Sequence, residues 1–443
     1  MYNNIEYYER GKQPYTMNIL RCCFGNSGQL TCIQTNKFKR NLLMMTYTLP
    51  IDPNTTAFDE LIPAVLLRGC KDYTTHADIK RRCEQLYGAS LEYYYSYFGD
   101  HLMVNFCADF LSDKAVGGDI NILRSIIELM ARVWCDPVLD ENGLLRADEI
   151  AKTKASFADA ILAADNDTAA YALRRTREIM CKHEPGGYSV SVEDIEKITP
   201  TALTERYKYL RCNDSSDFFY IGDADQTTVR ELVSEYFGRI KYRRDNCCVP
   251  TPTAPLAHAI RQTERFPINQ GKLTMGFTAG ITMADNDYYP MLLAVEIFGG
   301  SPISKLFMNV RERLGLCYYC GASYSKSKGI VYVSSGIDPR DREVVEKEIL
   351  AQLNEMRLGN ITDVELSAAQ MSLINYAKQI TDRPYSMWSF YNSRKLAGID
   401  ADIDTHIENL QRVTVSDIQR VVEDWKLGCV FFADATGGED DEN

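Results

Sequence analysis

Gly299-Gly300-Ser301-Pro302-Ile303-Ser304-Lys305-Leu306-Phe307, running on to Arg311-Glu312-Arg313-Leu314-Gly315-Leu316-Cys317-Tyr318, is the stretch on which the reading of the fold turns. Ser301 suits an N-cap and Pro302 the first helical position, and Ile303, Leu306, Phe307, Val310 and Leu314 recur at helical spacing as one apolar stripe. Gly315 ends that helix. Residues 316–324 then read as a strand, 325–329 as a turn and 330–335 as the returning strand. The unit is a helix feeding a hairpin.

The same grammar occurs earlier in the chain. Thr75 caps a helix with Asp78 three residues on, Ile79, Cys83, Leu86 and Tyr87 supply its apolar face, and Gly88 ends it. A strand over 91–97, a turn at Gly99-Asp100 and a return strand over 101–108 follow. Downstream of each unit come two further helices, near 121–133 and 145–162 in the first half, and near 344–356 and 363–380 in the second. The repeat predicts an α+β chain of two homologous domains, each an antiparallel sheet with helices packed on it. The first domain is expected over 1–241 and closes with the strand and helix around Phe218-Phe219-Tyr220-Ile221-Gly222-Asp223. A charged, then proline-spaced stretch over 242–266, containing Pro250-Thr251-Pro252-Thr253-Ala254-Pro255, reads as the linker. The second domain spans 267–436, and 437–443 is an acidic tail.

Composition narrows the function classes. The 443 residues are enough for two cores, and 49 Lys plus Arg against 61 Asp plus Glu give a net charge of −12, which argues against a nucleic-acid-binding surface. The 14 cysteines have no framework spacing and read as reduced thiols; Cys317-Tyr318-Tyr319-Cys320 is a lone C-x-x-C with no second pair. No run is long enough to span a membrane, and a cytoplasmic location is the expectation. The five histidines, His76, His101, His183, His258 and His406, share no helical turn and are read as surface or partly satisfied side chains. A zinc hydrolase needs at least three converging ligands and a carboxylate base, and they do not supply them. No Gly-x-Ser-x-Gly elbow or phosphate loop is present. The glycines at 299 and 300 are read as the end of a helix over 288–298 rather than as an anion cradle.

On a helical wheel Arg311 and Arg313 flank the stripe symmetrically, so periodicity alone does not separate them. The segment resembles the substrate-gripping segment of the insulinase/pitrilysin-like (inverzincin) zinc peptidases, whose pattern Arg-Glu-x-x-Gly-Leu-x-Tyr falls on Arg311, Glu312, Gly315, Leu316 and Tyr318. The resemblance extends to Leu86-Tyr87-Gly88-Ala89-Ser90, to Ile221-Gly222-Asp223, and to Arg68-Gly69-Cys70-Lys71-Asp72-Tyr73, the flank that follows the family's His-x-x-Glu-His helix. Counting back from Gly69 puts Glu60, Leu61, Ile62, Pro63 and Ala64 on that motif. Neither histidine nor the glutamate is there. The family's third ligand, a downstream glutamate, aligns best with Thr153 and less well with Glu149.

The resemblance therefore implies a zinc-free, non-catalytic subunit of the bacterial two-chain type, forming half of a clamshell. It implies Arg311 and Tyr318 as peptide-substrate-binding residues offered to the zinc of an insulinase-like partner subunit, with a homodimer as the other pairing. Glu60, Pro63 and Ala64 are the degenerate zinc-motif positions, and no metal or cofactor is expected in this chain. The alternative from a different class is a structural scaffold homologue with no proteolytic role.

Overall fold

The computed structural model describes residues 5–7, 15–25, 28–117, 120–212, 216–240 and 248–435. The tail at 437–443 and Arg243-Arg244-Asp245-Asn246 of the expected linker lie outside these residues. Among the described residues there are twelve strands: β1 (Ile5–Tyr7), β2 (Tyr15–Phe24), β3 (Gly28–Thr35), β4 (Arg40–Pro50), β5 (Ser90–Phe98), β6 (His101–Leu111), β7 (Ser216–Gly222), β8 (Ile260–Phe266), β9 (Gly271–Thr278), β10 (Cys317–Ser325), β11 (Ile330–Ile337) and β12 (Lys426–Ala435). The helices of the first half are α1 (Thr56–Leu66), α2 (His76–Gln85), α3 (Asp113–Val116), α4 (Ile122–Cys135), α5 (Ala147–Asn166), α6 (Thr168–Met180), α7 (Val192–Glu196), α8 (Pro200–Cys212) and α9 (Gln226–Phe237). Those of the second are α10 (Tyr288–Val295), α11 (Arg342–Arg357), α12 (Asp363–Ile380), α13 (Pro384–Leu396), α14 (Ile403–Arg412) and α15 (Val415–Glu423).

Two sheets result, in the orders β1-β2-β3-β7-β4-β6-β5 and β10-β11-β9-β12-β8. Written from the other edge, the second is β8-β12-β9-β11-β10, which matches β3-β7-β4-β6-β5 strand for strand. The one parallel pair in each sheet falls at the same place, β3 with β7 and β8 with β12. The expected repeat is thus present in topology as well as in local pattern.

Its central strands are buried on both faces, which requires apolar residues at odd and even positions alike. In β4, Leu43, Met45 and Tyr47 join the core beneath α1, α4 and α9, while Leu42 and Met44 face the opposite side. That opposite side is covered by the other half of the chain: Met387, Trp388 and Tyr391 of α13 pack on Leu42, Met44, Phe219 and Ile221. The second sheet is treated reciprocally, with Ala172, Ile179 and Met180 of α6 packed on Ile330, Cys429 and Phe431. Each half lends the other one helix, so neither sheet is closed by its own half alone.

The hairpin turns of the two repeats also meet. Gly99 N–H donates to Ser327 Oγ at 2.9 Å, and the ammonium of Lys328, 7 % exposed, reaches Glu184 at 2.5 Å and Asp100 at 3.1 Å. Hydrogen bonds to these carboxylates hold Lys328 above its ordinary pKa, against the downward pull of burial.

Four expectations are corrected. Residues 260–266 of the expected linker form β8, paired in parallel with β12. Its proline-spaced part is docked, since Thr253 is buried, its N–H donates to Lys328 O and its hydroxyl to Glu184. The cap near 301 moves three residues on: Ser301-Pro302 form a turn, and Ser304 receives the Phe307 N–H on its hydroxyl at 3.4 Å. The following turns, Phe307–Arg313, are wound wide, in i→i+5 fashion. Leu306 and Val310 are buried, while Ile303, in the turn before the helix, is 43 % exposed and Leu314, past the wide turns that shift the phase of the stripe, is 44 % exposed. His406, finally, is buried against the guanidinium of Arg394 at 2.8 Å, and burial first, then the charges of Arg394 and Lys326, press its pKa down to about 3. No described helix is long and apolar enough to cross a membrane.

Candidate functional site

α1 carries the positions where the inverted zinc motif would fall. It packs on α5 and α8, and Asp59 fixes it there through paired bonds of 2.7 Å from Arg206 of α8. That registry turns Glu60 toward β5, where it is 2 % exposed and accepts a 2.5 Å hydrogen bond from the Tyr97 hydroxyl. Burial, with the adjacent Asp59 charge, lifts its pKa to about 7 despite the opposing bonds from Tyr97 and Tyr95. Pro63 and Ala64 follow one turn later, buried and without a metal-binding atom. Thr153 of α5 is also buried; its hydroxyl donates to Glu149 O at 2.7 Å and accepts from Arg68 at 3.4 Å.

This donor set does not fit zinc, since a single carboxylate beside proline, alanine and an already bonded hydroxyl cannot supply three ligands and a base. Among the described residues no three His, Cys, Asp or Glu side chains are grouped to hold a metal ion. Over Glu60 there is a cavity of about 370 Å³, walled by Tyr93, Tyr95, Tyr97, Phe157 and Arg177 among others. The alternation of β5 builds one wall, its odd tyrosines facing the cavity while Tyr94 turns to Trp388 of α13. The triplet at 93, 95 and 97 was a visible signal for this pocket. Arg177, eighty residues on, had none.

Arg311 and Tyr318 lie elsewhere, on the second sheet. Arg311 leaves the wide helix exposed, its guanidinium 4.6 Å over the Phe307 ring and 3.6 Å from Glu312. Tyr318 is 75 % exposed, because β10 is an edge strand whose ladder to β11 skips from Cys317 to Tyr319. The skipped residue is Tyr318, a bulge that aims the side chain out of the sheet. The same bulge puts Cys317 and Cys320 on one face, opposite Ile337 and Ser335. The Cys320 thiol, then Ser335 and the Arg311 charge, hold the Cys317 thiol below its ordinary pKa. Neither Arg311 nor Tyr318 lines the cavity over Glu60, so the two groups of predicted positions are not brought together within this chain.

A repeated α+β plan, with no metal-binding group on α1 among the described residues and with Arg311 and Tyr318 exposed on the second sheet, is similar to the plan of the insulinase/pitrilysin-like, or M16, peptidases. Residues 197–373 match the family described as the peptidase M16 inactive domain. Over 408 residues, 92 % of this chain and 95 % of the relative, it is 26 % identical to a probable inactive metalloprotease, YmfF, of Bacillus subtilis. In fold it is similar to a conserved protein from Enterococcus faecalis, with a TM-score of 0.87 at 22 % identity over 94 % and 98 % of the two chains. The peptidase M16 inactive domain from Pseudomonas fluorescens gives 0.78 at 16 % over 95 % and 98 %.

Proposed function

We propose that this chain is the zinc-free subunit of a cytoplasmic two-chain peptidase. It forms half of a clamshell and supplies Arg311 and Tyr318 to a peptide held at a partner's zinc. The observation that carries the reading is the exposure of Tyr318 on its bulge, together with that of Arg311, whose one ion-pair partner is its own neighbour Glu312 at 3.6 Å among the described residues. A tyrosine serving only the fold has no need to leave the ladder, and an arginine serving only solubility has no need of a fixed place over an aromatic ring.

Each group has a chemical task. The Arg311 fork donates to peptide carbonyl or carboxylate oxygens, and the Tyr318 hydroxyl donates to the carbonyl oxygen that gains charge as water attacks. The zinc, its water and the base belong to the partner, since Glu60, Pro63 and Ala64 cannot hold them. The test is to mix the purified chain with the insulinase-like His-x-x-Glu-His chain of the same organism and follow a quenched fluorescent peptide. Cleavage should require both chains. Failure to associate or to stimulate cleavage would favour a scaffold role, in which Arg311 and Tyr318 grip nothing.

A further inference from the structure

The cavity over Glu60 is built as a ligand site in its own right. Its volume of about 370 Å³ falls in the range of pockets that hold small molecules or a peptide end, and its walls are mostly aromatic and aliphatic. One wall presents Arg177 of α6. The guanidinium lies 5.4 Å over the Tyr97 ring and donates one hydrogen bond, of 2.6 Å, to Ser189 Oγ. Ser189 in turn donates to Glu178 at 2.7 Å, so the arginine is oriented by a relay and has no direct carboxylate partner among the described residues. Arg174, the other guanidinium at the cavity, is already paired with Asp165.

A guanidinium has five N–H donors in a planar fork, and the Ser189 contact uses one. What fits the rest is a planar anion, and the adjoining tyrosines and Phe157 fit an apolar group attached to it. Glu60 on the floor is the one feature opposed to an anion. It is tied to Tyr97, and burial lifts its pKa to about 7 against the pull of the Arg177 charge, so a bound anion meets a neutral Glu60 below that pH and competes with its carboxylate for Arg177 above it.

We propose that this cavity binds a carboxylate borne on an apolar or aromatic residue, with Arg177 as the carboxylate-binding group and the β5 tyrosines as the side-chain wall. Two sources share that chemistry, the C-terminal residue of a peptide and a free small carboxylic acid. The site stands apart from the grip on the second sheet, because Arg311 and Tyr318 do not line it. It needs no partner chain, and its test can fail while cleavage by the pair succeeds, or the reverse.

The experiment is titration calorimetry on the full chain with N-acetyl-phenylalanine, its C-terminal amide, and a short N-acetylated peptide ending in phenylalanine. The acid should bind at least about tenfold more tightly than the amide, as expected for the loss of a charge-assisted hydrogen bond. Arg177→Gln should remove that preference. Ala160→Trp, which fills the cavity and leaves the guanidinium in place, should abolish binding of all three probes. Thermal melting of both variants checks their folding, and a misfolded Arg177→Gln leaves Ala160→Trp to decide. A peptide tenfold tighter than the free acid identifies a peptide end, and equal affinities identify a small acid. Equal binding of acid and amide, or binding undisturbed by Ala160→Trp, would overturn the assignment.

Discussion

Glu60 is a buried carboxyl held by a tyrosine hydroxyl. The folded chain holds its pKa near 7 whereas an ordinary glutamate titrates near 4.5, so between these values the native state keeps a proton that the unfolded state has released. Stability from this group is therefore fully present below pH 4.5 and is lost as pH rises through 7, a swing of about 3 kcal/mol from the size of the shift. Glu60→Gln keeps an acceptor for Tyr97 and removes the titration. Urea unfolding should show the variant close to the native chain at pH 5 and about 2 kcal/mol more stable at pH 8, and parallel pH profiles would contradict the assignment. At this scale an ordered string of residue types singled out Arg311, Tyr318 and positions 60–64; the structure adds that the first two are exposed and the last buried, and a grip is the proposed role of Arg311 and Tyr318. The Arg177 relay was not legible in sequence, since it joins residues from two segments whose meeting depends on tertiary packing.

The wide helix and its following strand show why local signals placed elements well and their ends less well. Gly299 was read as a helix stop, but a Cβ there would lie 2.5 Å from the Ala322 backbone nitrogen of β10, so the residue is small because helix and strand touch. No local propensity reports such a contact. Gly315 was read as a helix end, and it adopts φ +63° with open space around it. The two glycines should respond differently to alanine. Gly299→Ala should cost about 2–3 kcal/mol through displacement of β10, and should disturb Tyr318. Gly315→Ala should cost about 1 kcal/mol, the conformational term alone. Equal losses in thermal or urea unfolding would count against the close-approach argument.

At the scale of the molecule the repeat was readable and the interlock was not. Helix and hairpin signals recur at matching places in each half, whereas the exchange of α6 and α13 between sheets leaves no trace in periodicity. Both helices are simply apolar on a face whose partner lies in the other half. The boundary suggested by Pro250 to Pro255 likewise hides a docked segment and a strand. Shared cores predict one cooperative unfolding transition for the whole chain, and two resolved calorimetric transitions would contradict the interlock. Lys328→Met should lower the stability of that single unit by about 3 kcal/mol, because Asp100 and Glu184 are left facing each other half-buried without a cation. A loss below about 0.5 kcal/mol would mark the junction as an ordinary surface pair.

The proposed role of the tyrosine lifted from the edge strand β10 has one consequence that can be read in a rate. In the reconstituted pair, Tyr318→Phe removes a single hydroxyl, and its kcat for peptide cleavage, measured at saturating peptide with the partner's zinc content held constant, is the most direct test. The account predicts a fall of about 10²–10³ in kcat with KM little changed, the signature of an interaction made chiefly as charge develops on the carbonyl oxygen. A kcat equal to that of the unaltered pair would contradict it.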